Sequence, residues 1–128
     1  MSRFLSYLER DKCSYTYLCQ MSERLTKLKE FLSENPNDSF LIFAIAKEYE
    51  KLNELNKAAE NYDLIIQNEP EYVGVYYHRA KLHETLNENE QAVAVYKQGL
   101  EVAKRTKDFH AASELNTALM NLELELDD

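Results

Sequence analysis

Apolar residues in the middle of this chain fall at helical spacing. Ile42, Ile45, Ala46, Tyr49 and Leu52 stand at i, i+3, i+4, i+7 and i+10, which places them on one face of an α-helix. Asp38 precedes the stripe as an N-cap, its short carboxylate suited to the free N–H groups of a first turn. A second stripe follows in Ala58, Ala59, Tyr62, Ile65 and Ile66. Between the two, Asn53-Glu54-Leu55-Asn56 predicts a tight turn. Asn53 tolerates the left-handed conformation that ends a helix, and Asn56 is placed to cap the next one. Pro70 then stops the second helix. The unit reads helix, turn, helix, stop.

The same unit returns 34 residues later, with Tyr76, Ala80, His83 and Leu86 in its first helix and Ala92, Val93, Tyr96 and Leu100 in its second. Ser39–Tyr72 and Val73–Thr106 agree at eight of 34 positions, among them Ala46/Ala80, Lys47/Lys81, Glu50/Glu84, Asn53/Asn87 and Tyr62/Tyr96. Such a period marks stacked supersecondary units, none of which buries its apolar face alone. The recurring alanines at 46, 58, 80 and 92 are small where two helices must approach closely. Asn87 and Asn89 repeat the turn and cap roles of Asn53 and Asn56. Departures gather in the second unit. Arg79 replaces an apolar residue, His83 an aromatic one, Gly99 a core side chain and Lys104 the proline. Gly99 is either a close-packing site or a weak spot, and without a proline the second helix runs to about Arg105.

The flanks supply partners for these units. Leu25, Leu28, Phe31 and Leu32 lie one period before Ala59, Tyr62, Ile65 and Ile66, so Met21–Glu34 reads as the second helix of an earlier unit. After the repeats, Ala111, Ala112, Leu115, Ala118, Leu119 and Leu122 form an amphipathic helix with Asp108 as its cap. The division is an N-terminal extension over 1–20, a half-repeat helix over 21–37, repeats over 38–72 and 73–106, a capping helix over 107–124 and an acidic tail over 125–128. The extension breaks the pattern, with Asp11 and Lys12 where core residues belong. It is either an extra docked helix built on Phe4, Leu5 and Leu8, or a segment preceding a natural start at Met21.

The quoted residues resemble the tetratricopeptide repeat, whose signature is W-x2-L-G-x2-Y, then A-x3-F, then P. The matching residues are Ile42-x2-Ile45-Ala46-x2-Tyr49, Ala58-x3-Tyr62 and Pro70, then Tyr76-x2-Arg79-Ala80-x2-His83 and Ala92-x3-Tyr96. The resemblance implies an all-α, right-handed stack of antiparallel helix hairpins of about six helices, whose first helices line a concave groove. It also implies a protein-interaction module rather than an enzyme. One activity of the family is not expected here. Repeats that clamp acidic chaperone tails use Lys then Asn on one helix and Asn on the next, where this chain has Phe43, Lys47 and His78.

Composition narrows the classes further. The 128 residues are 45% hydrophobic and 30% charged, enough for one soluble domain with a real core. Two Gly and two Pro argue against a turn-rich β fold. No run of 18 apolar residues spans a membrane, and Glu9, Arg10, Asp11 and Lys12 interrupt any leader-like patch, which points to the cytoplasm. A net charge of −8 disfavours nucleic acid, whose phosphates need clustered Lys and Arg. Cys13 and Cys19, six apart, have neither zinc-ligand spacing nor a second pair for a disulfide framework.

No catalytic constellation, cofactor loop or metal motif is evident. His78 and His83 point roughly 140° apart on a helix and make poor co-ligands. A second repeated stripe carries the functional expectation. Phe43, Lys47 and Glu50 recur as Tyr77, Lys81 and Glu84, on a face other than the core stripe. In the groove implied by the resemblance, Phe109, Ala112, Asn116 and Met120 extend this surface at one end and Phe40 at the other. The protein-binding candidates are Phe40, Phe43, Lys47, Tyr77, Lys81, Phe109 and Asn116, the lysines suited to a peptide or helix carrying a carboxylate. The alternative is that Lys47 with Glu50, and Lys81 with Glu84, are ordinary surface pairs. A homodimeric, self-associating role is the rival to an adaptor.

Overall fold

Six helices make up the residues described by the computed structural model, 23–127. They are α1 over 23–34, α2 Ser39–Lys51, α3 Leu55–Asn68, α4 Val73–Thr85, α5 Asn89–Arg105 and α6 Phe109–Asp127. The N-terminal extension, both cysteines, the Phe4–Leu8 patch and the Met21 start lie outside the described residues, as does Asp128. Tight turns fold α2 back on α3 and α4 back on α5, and α5 packs equally broadly on α6, with a smaller α3–α4 contact joining the units. Helices pair in an antiparallel, all-α array, as the repeat pattern requires.

Three turns share one mechanism. Asn53, Asn87 and Lys107 each take φ near +60°. The amide after each reaches back to close the helix end: Glu54 to the Tyr49 carbonyl at 2.8 Å, Glu88 to His83 at 2.8 Å and Asp108 to Ala103 at 2.9 Å. The turn residues themselves bond to Glu50, Glu84 and Lys104, completing a Schellman cap in each case. Asn56 and Asn89 do not cap. The caps are Glu54 and Glu88, neither with a side-chain cap bond, because the Schellman turn is shorter than the sequence suggested. Asp38 does cap α2, accepting from the amides of Phe40 at 3.0 Å and Leu41 at 3.3 Å, and Asp108 accepts from Ala111 at 3.1 Å.

The core follows the stripes. Tyr62, Tyr76, Tyr96, Ile42, Ile65, Leu115 and Val75 are fully buried, each contributing on the order of 2–3 kcal/mol of transfer free energy. Ala46, Ala58, Ala80 and Ala92 are fully buried as well. Gly99 proves to be a close-packing site. A methyl group there would stand 2.5 Å from Tyr76 Cβ and 3.3 Å from Leu115 Cδ1, so α4, α5 and α6 meet across the missing side chain. Arg79 is carried at an apolar position because its Nε reaches Asp63 of α3 at 2.7 Å. Phe31 departs from its expected core role and is 56% exposed, while Leu25 of the same stripe is buried. Helix α6 runs on into the acidic segment, where Leu124, Glu125 and Leu126 are good helix formers.

Candidate functional site

His78 of α4 is the hinge on which the repeated stripe is assembled. Phe43 of α2 meets its ring edge-on at 5.1 Å, and Tyr77 meets it at 5.6 Å in the same T-shaped manner. Phe43 also packs on Tyr62 at 5.8 Å and Tyr72 at 5.9 Å, and Tyr77 packs on Tyr96 at 6.4 Å. Phe43 and Tyr77 are therefore half-buried members of one aromatic wall, each anchored on the central tyrosine of its own second helix. Such pairs add about 0.5–1.5 kcal/mol each beyond burial.

Both lysines of the stripe lie beside this wall and both are engaged. Lys47 Nζ is 3.0 Å from Glu50 and 3.5 Å from His78 Nδ1. Lys81 Nζ is 3.5 Å from Glu84 and 5.7 Å from the centroid of the Tyr77 ring. A lysine ammonium only donates, so Nδ1 of His78 accepts and its proton sits on Nε2. Burial, and then the Lys47 charge, hold the His78 imidazole below its ordinary 6.5, with Glu50 and Glu114 pulling the other way. Behind the wall, burial pushes the Tyr62 and Tyr96 phenols far up, helped by Glu50 and Glu84 respectively. The Tyr96 hydroxyl donates to Glu84.

Beyond Tyr77 the wall opens into a cleft of about 480 Å³ between α4 and α6. Tyr77, His78 and Lys81 form one side, and His110, Ser113, Glu114, Thr117 and Asn121 supply most of the other. His110 Nε2 lies 3.0 Å from Glu114. The cleft therefore offers an aromatic side, hydroxyl and amide groups opposite it, and charges already paired. Among the described residues no three His, Cys, Asp or Glu side chains gather as a metal site, and no helix is long and apolar enough to cross a membrane.

Three of the expected residues lie elsewhere. Phe40 sits in the first turn of α2, 71% exposed and outside the cleft. Phe109, 74% exposed, and Asn116 line a separate furrow of about 350 Å³ with Leu100, Lys104 and Ala112. The reason is directional. Residues at this register, such as Phe43 and Tyr77, face forward onto the helices that follow them. Among the described residues α6 has no following helix, so its forward face turns away from the cleft and its rear face closes it. His110, Glu114, Thr117 and Asn121 were missed for that reason. The available signal was the core spacing itself: Leu115, Ala118, Leu119 and Leu122 copy the spacing of Tyr76, Arg79, Ala80 and His83, which makes Thr117 the counterpart of His78.

The geometry agrees with what the chain is similar to. The pattern described as tetratricopeptide repeat matches residues 73–106, the second unit. A tetratricopeptide repeat domain protein from Salinibacter ruber, solved in solution, is 35% identical over 69% of this chain and 89% of its own, with a TM-score of 0.67. The TPR2B domain of yeast Sti1, solved as a complex with pHsp70, superposes with a TM-score of 0.74 at 15% identity, over 88% of this chain and 90% of that one. PcrH, solved in complex with the chaperone binding region of PopD, gives 0.74 at 11% identity, over 98% and 95%. Among curated proteins none matches.

Proposed function

Since the chain belongs to the tetratricopeptide repeat family, we propose that it is a protein-interaction module, an adaptor that holds a peptide or helix along the wall of Phe43, His78 and Tyr77 and in the cleft beyond. The observation that supports this reading is the wall itself, where half-buried aromatic rings from two successive units meet at His78, and His78 and Tyr77 border an open cleft lined by Lys81, Ser113, Thr117 and Asn121. Rings with apolar faces and polar edges are the residues that carry binding energy at such surfaces. Two neighbours of this fold, the Sti1 domain and PcrH, are solved with a bound segment, which is consistent with the proposal.

The partner's chemistry follows from the pairing. Lys47 and Lys81 are each neutralised by the glutamate three residues on, and Glu114 adds a further acid. A carboxylate arriving there competes with groups already in place. The segment that fits is one seating an apolar or aromatic side chain on the wall, with its backbone against Ser113, Thr117 and Asn121.

Affinity purification with the full chain, compared with a Tyr77→Ala, Lys81→Ala variant of equal helicity, tests this. Partners retained by the first and lost by the second are expected, with affinity for a recovered partner reduced about tenfold or more. Identical recovery by both proteins overturns the proposal.

A further inference from the structure

Helix α6 carries a second surface that the cleft does not use. Phe109, Ala112, Asn116, Met120, Glu123 and Asp127 follow one another at spacings of three or four, a single stripe along the whole helix. Its large apolar members are uncovered, with Phe109 74% and Met120 54% exposed, and Leu124 beside the stripe 63% exposed. Single exposed apolar residues are ordinary on a protein surface, whereas a stripe of them along one helix marks an interaction face. Next to its first half runs the furrow formed with Leu100 and Lys104 of α5.

The charges along this stripe identify the occupant. One end is basic, with Lys104 and Arg105 in the last turn of α5 and Lys107 in the connection to α6. The other end is acidic, with Glu123, Glu125 and Asp127, and no basic residue in the last turn of α6. Acids at a helix C-terminus oppose the helix dipole, so cations brought to this end are favoured. A helix laid antiparallel on α6 with the same charge order supplies them at both ends at once. The matching object on the page is α6 itself.

We propose that the chain forms a two-fold symmetric dimer through antiparallel contact of α6 with the α6 of a second copy. Phe109 of each copy lies against Leu124 and Asp127 of the other, Ala112 against Glu123, and Asn116 against Met120. Lys104 of each copy faces the acidic end of its partner. An interface of this kind is isologous, each residue pair occurring twice. It uses a face of α6 adjoining the one that lines the α4–α6 cleft, with Ser113 at their border, and its test reads association by mass, separately from the binding role of that cleft.

The test is the mass of the full chain in solution, by sedimentation or light scattering across micromolar concentrations. The expected species is twice the 15.0 kDa of one chain. Met120→Glu, at an exposed position, keeps the helicity of the native chain and raises the dimer dissociation constant at least about tenfold. Lys104→Glu weakens the dimer, and adding Glu123→Lys to it restores association, because the exchanged charges face each other across copies. A monomer throughout the concentration range overturns the proposal. So does a dimer indifferent to Met120→Glu, or one that the Lys104→Glu, Glu123→Lys pair fails to restore.

Discussion

Repeats 38–72 and 73–106 share a backbone plan and eight side chains, yet they settle their polar groups differently. In the second, Tyr96 donates its hydroxyl to Glu84, and Lys81 stays 3.5 Å from that carboxylate. In the first, Lys47 draws Glu50 to 3.0 Å, and the Tyr62 hydroxyl is buried with no hydrogen-bond partner. The next helix decides the difference. α4 presents His78, which stacks over Tyr62 at 6.2 Å and meets Lys47, filling the junction between α2 and α4. α6 presents Thr117 at the corresponding place, and that junction stays open as the cleft. The hairpin plan and its central tyrosine are thus shared, while the residue facing back from the following unit determines whether the junction is filled or open.

Exchanging residues between the repeats should break this comparison most severely at the counterparts Ile65 and Gly99. Ile65 is fully buried and fills the first repeat, while Gly99 leaves room for Tyr76 and Leu115 in the second. Gly99→Ile should cost more than about 3 kcal/mol, the clash being with a Cβ rather than a flexible chain end. Gly99→Ala should destabilise by about 1–2 kcal/mol even though alanine is the better helix former by about 1 kcal/mol. Thermal unfolding reads both. If Gly99→Ala raises the midpoint, the close contact of the three helices is wrong.

The tyrosine pair sharpens the comparison with a smaller effect. Tyr96→Phe removes a hydrogen bond to a charged acceptor and should cost about 1.5–3 kcal/mol. Tyr62→Phe removes a buried hydroxyl that has no partner and should be neutral or stabilising. Denaturant titration of the two variants should separate them by more than about 1 kcal/mol. Equal losses would mean that the repeats use their tyrosines alike.

Much of this was legible beforehand, and the failures have a common cause. Periodic spacing located both hairpins, and the small alanines marked their contacts. Asn53 and Asn87 announced left-handed turns because asparagine tolerates φ near +60°. Lys107 gave no such notice, since lysine has no preference for the φ of 61° that its place in the helix-ending turn requires. Lys107→Gly should therefore stabilise by up to about 1 kcal/mol, measured by the same unfolding, and a loss would show that the lysine itself contributes there. Asn116 stands at the register of Tyr77, yet it and Phe109 line the furrow with Leu100 and Lys104 and not the α4–α6 cleft. Placing them needed the direction in which α6 faces, which depends on its neighbours and not on its own spacing.

The finest distinction between the repeats is one proton. His78 is held below 6.5 chiefly by burial and then by Lys47, so folding favours its neutral form. The unfolded chain binds that proton first as pH falls. Its contribution is therefore intact above 6.5 and is lost as pH drops from there through the lower folded value. Carboxylates also titrate on the acid side, so the useful quantity is the difference between the native chain and His78→Gln in thermal midpoint against pH. The native chain should lose stability more steeply below 6.5. Parallel curves would place His78 in contact with water rather than within the wall between Phe43 and Tyr77, and the filled junction would then be no different from the open one.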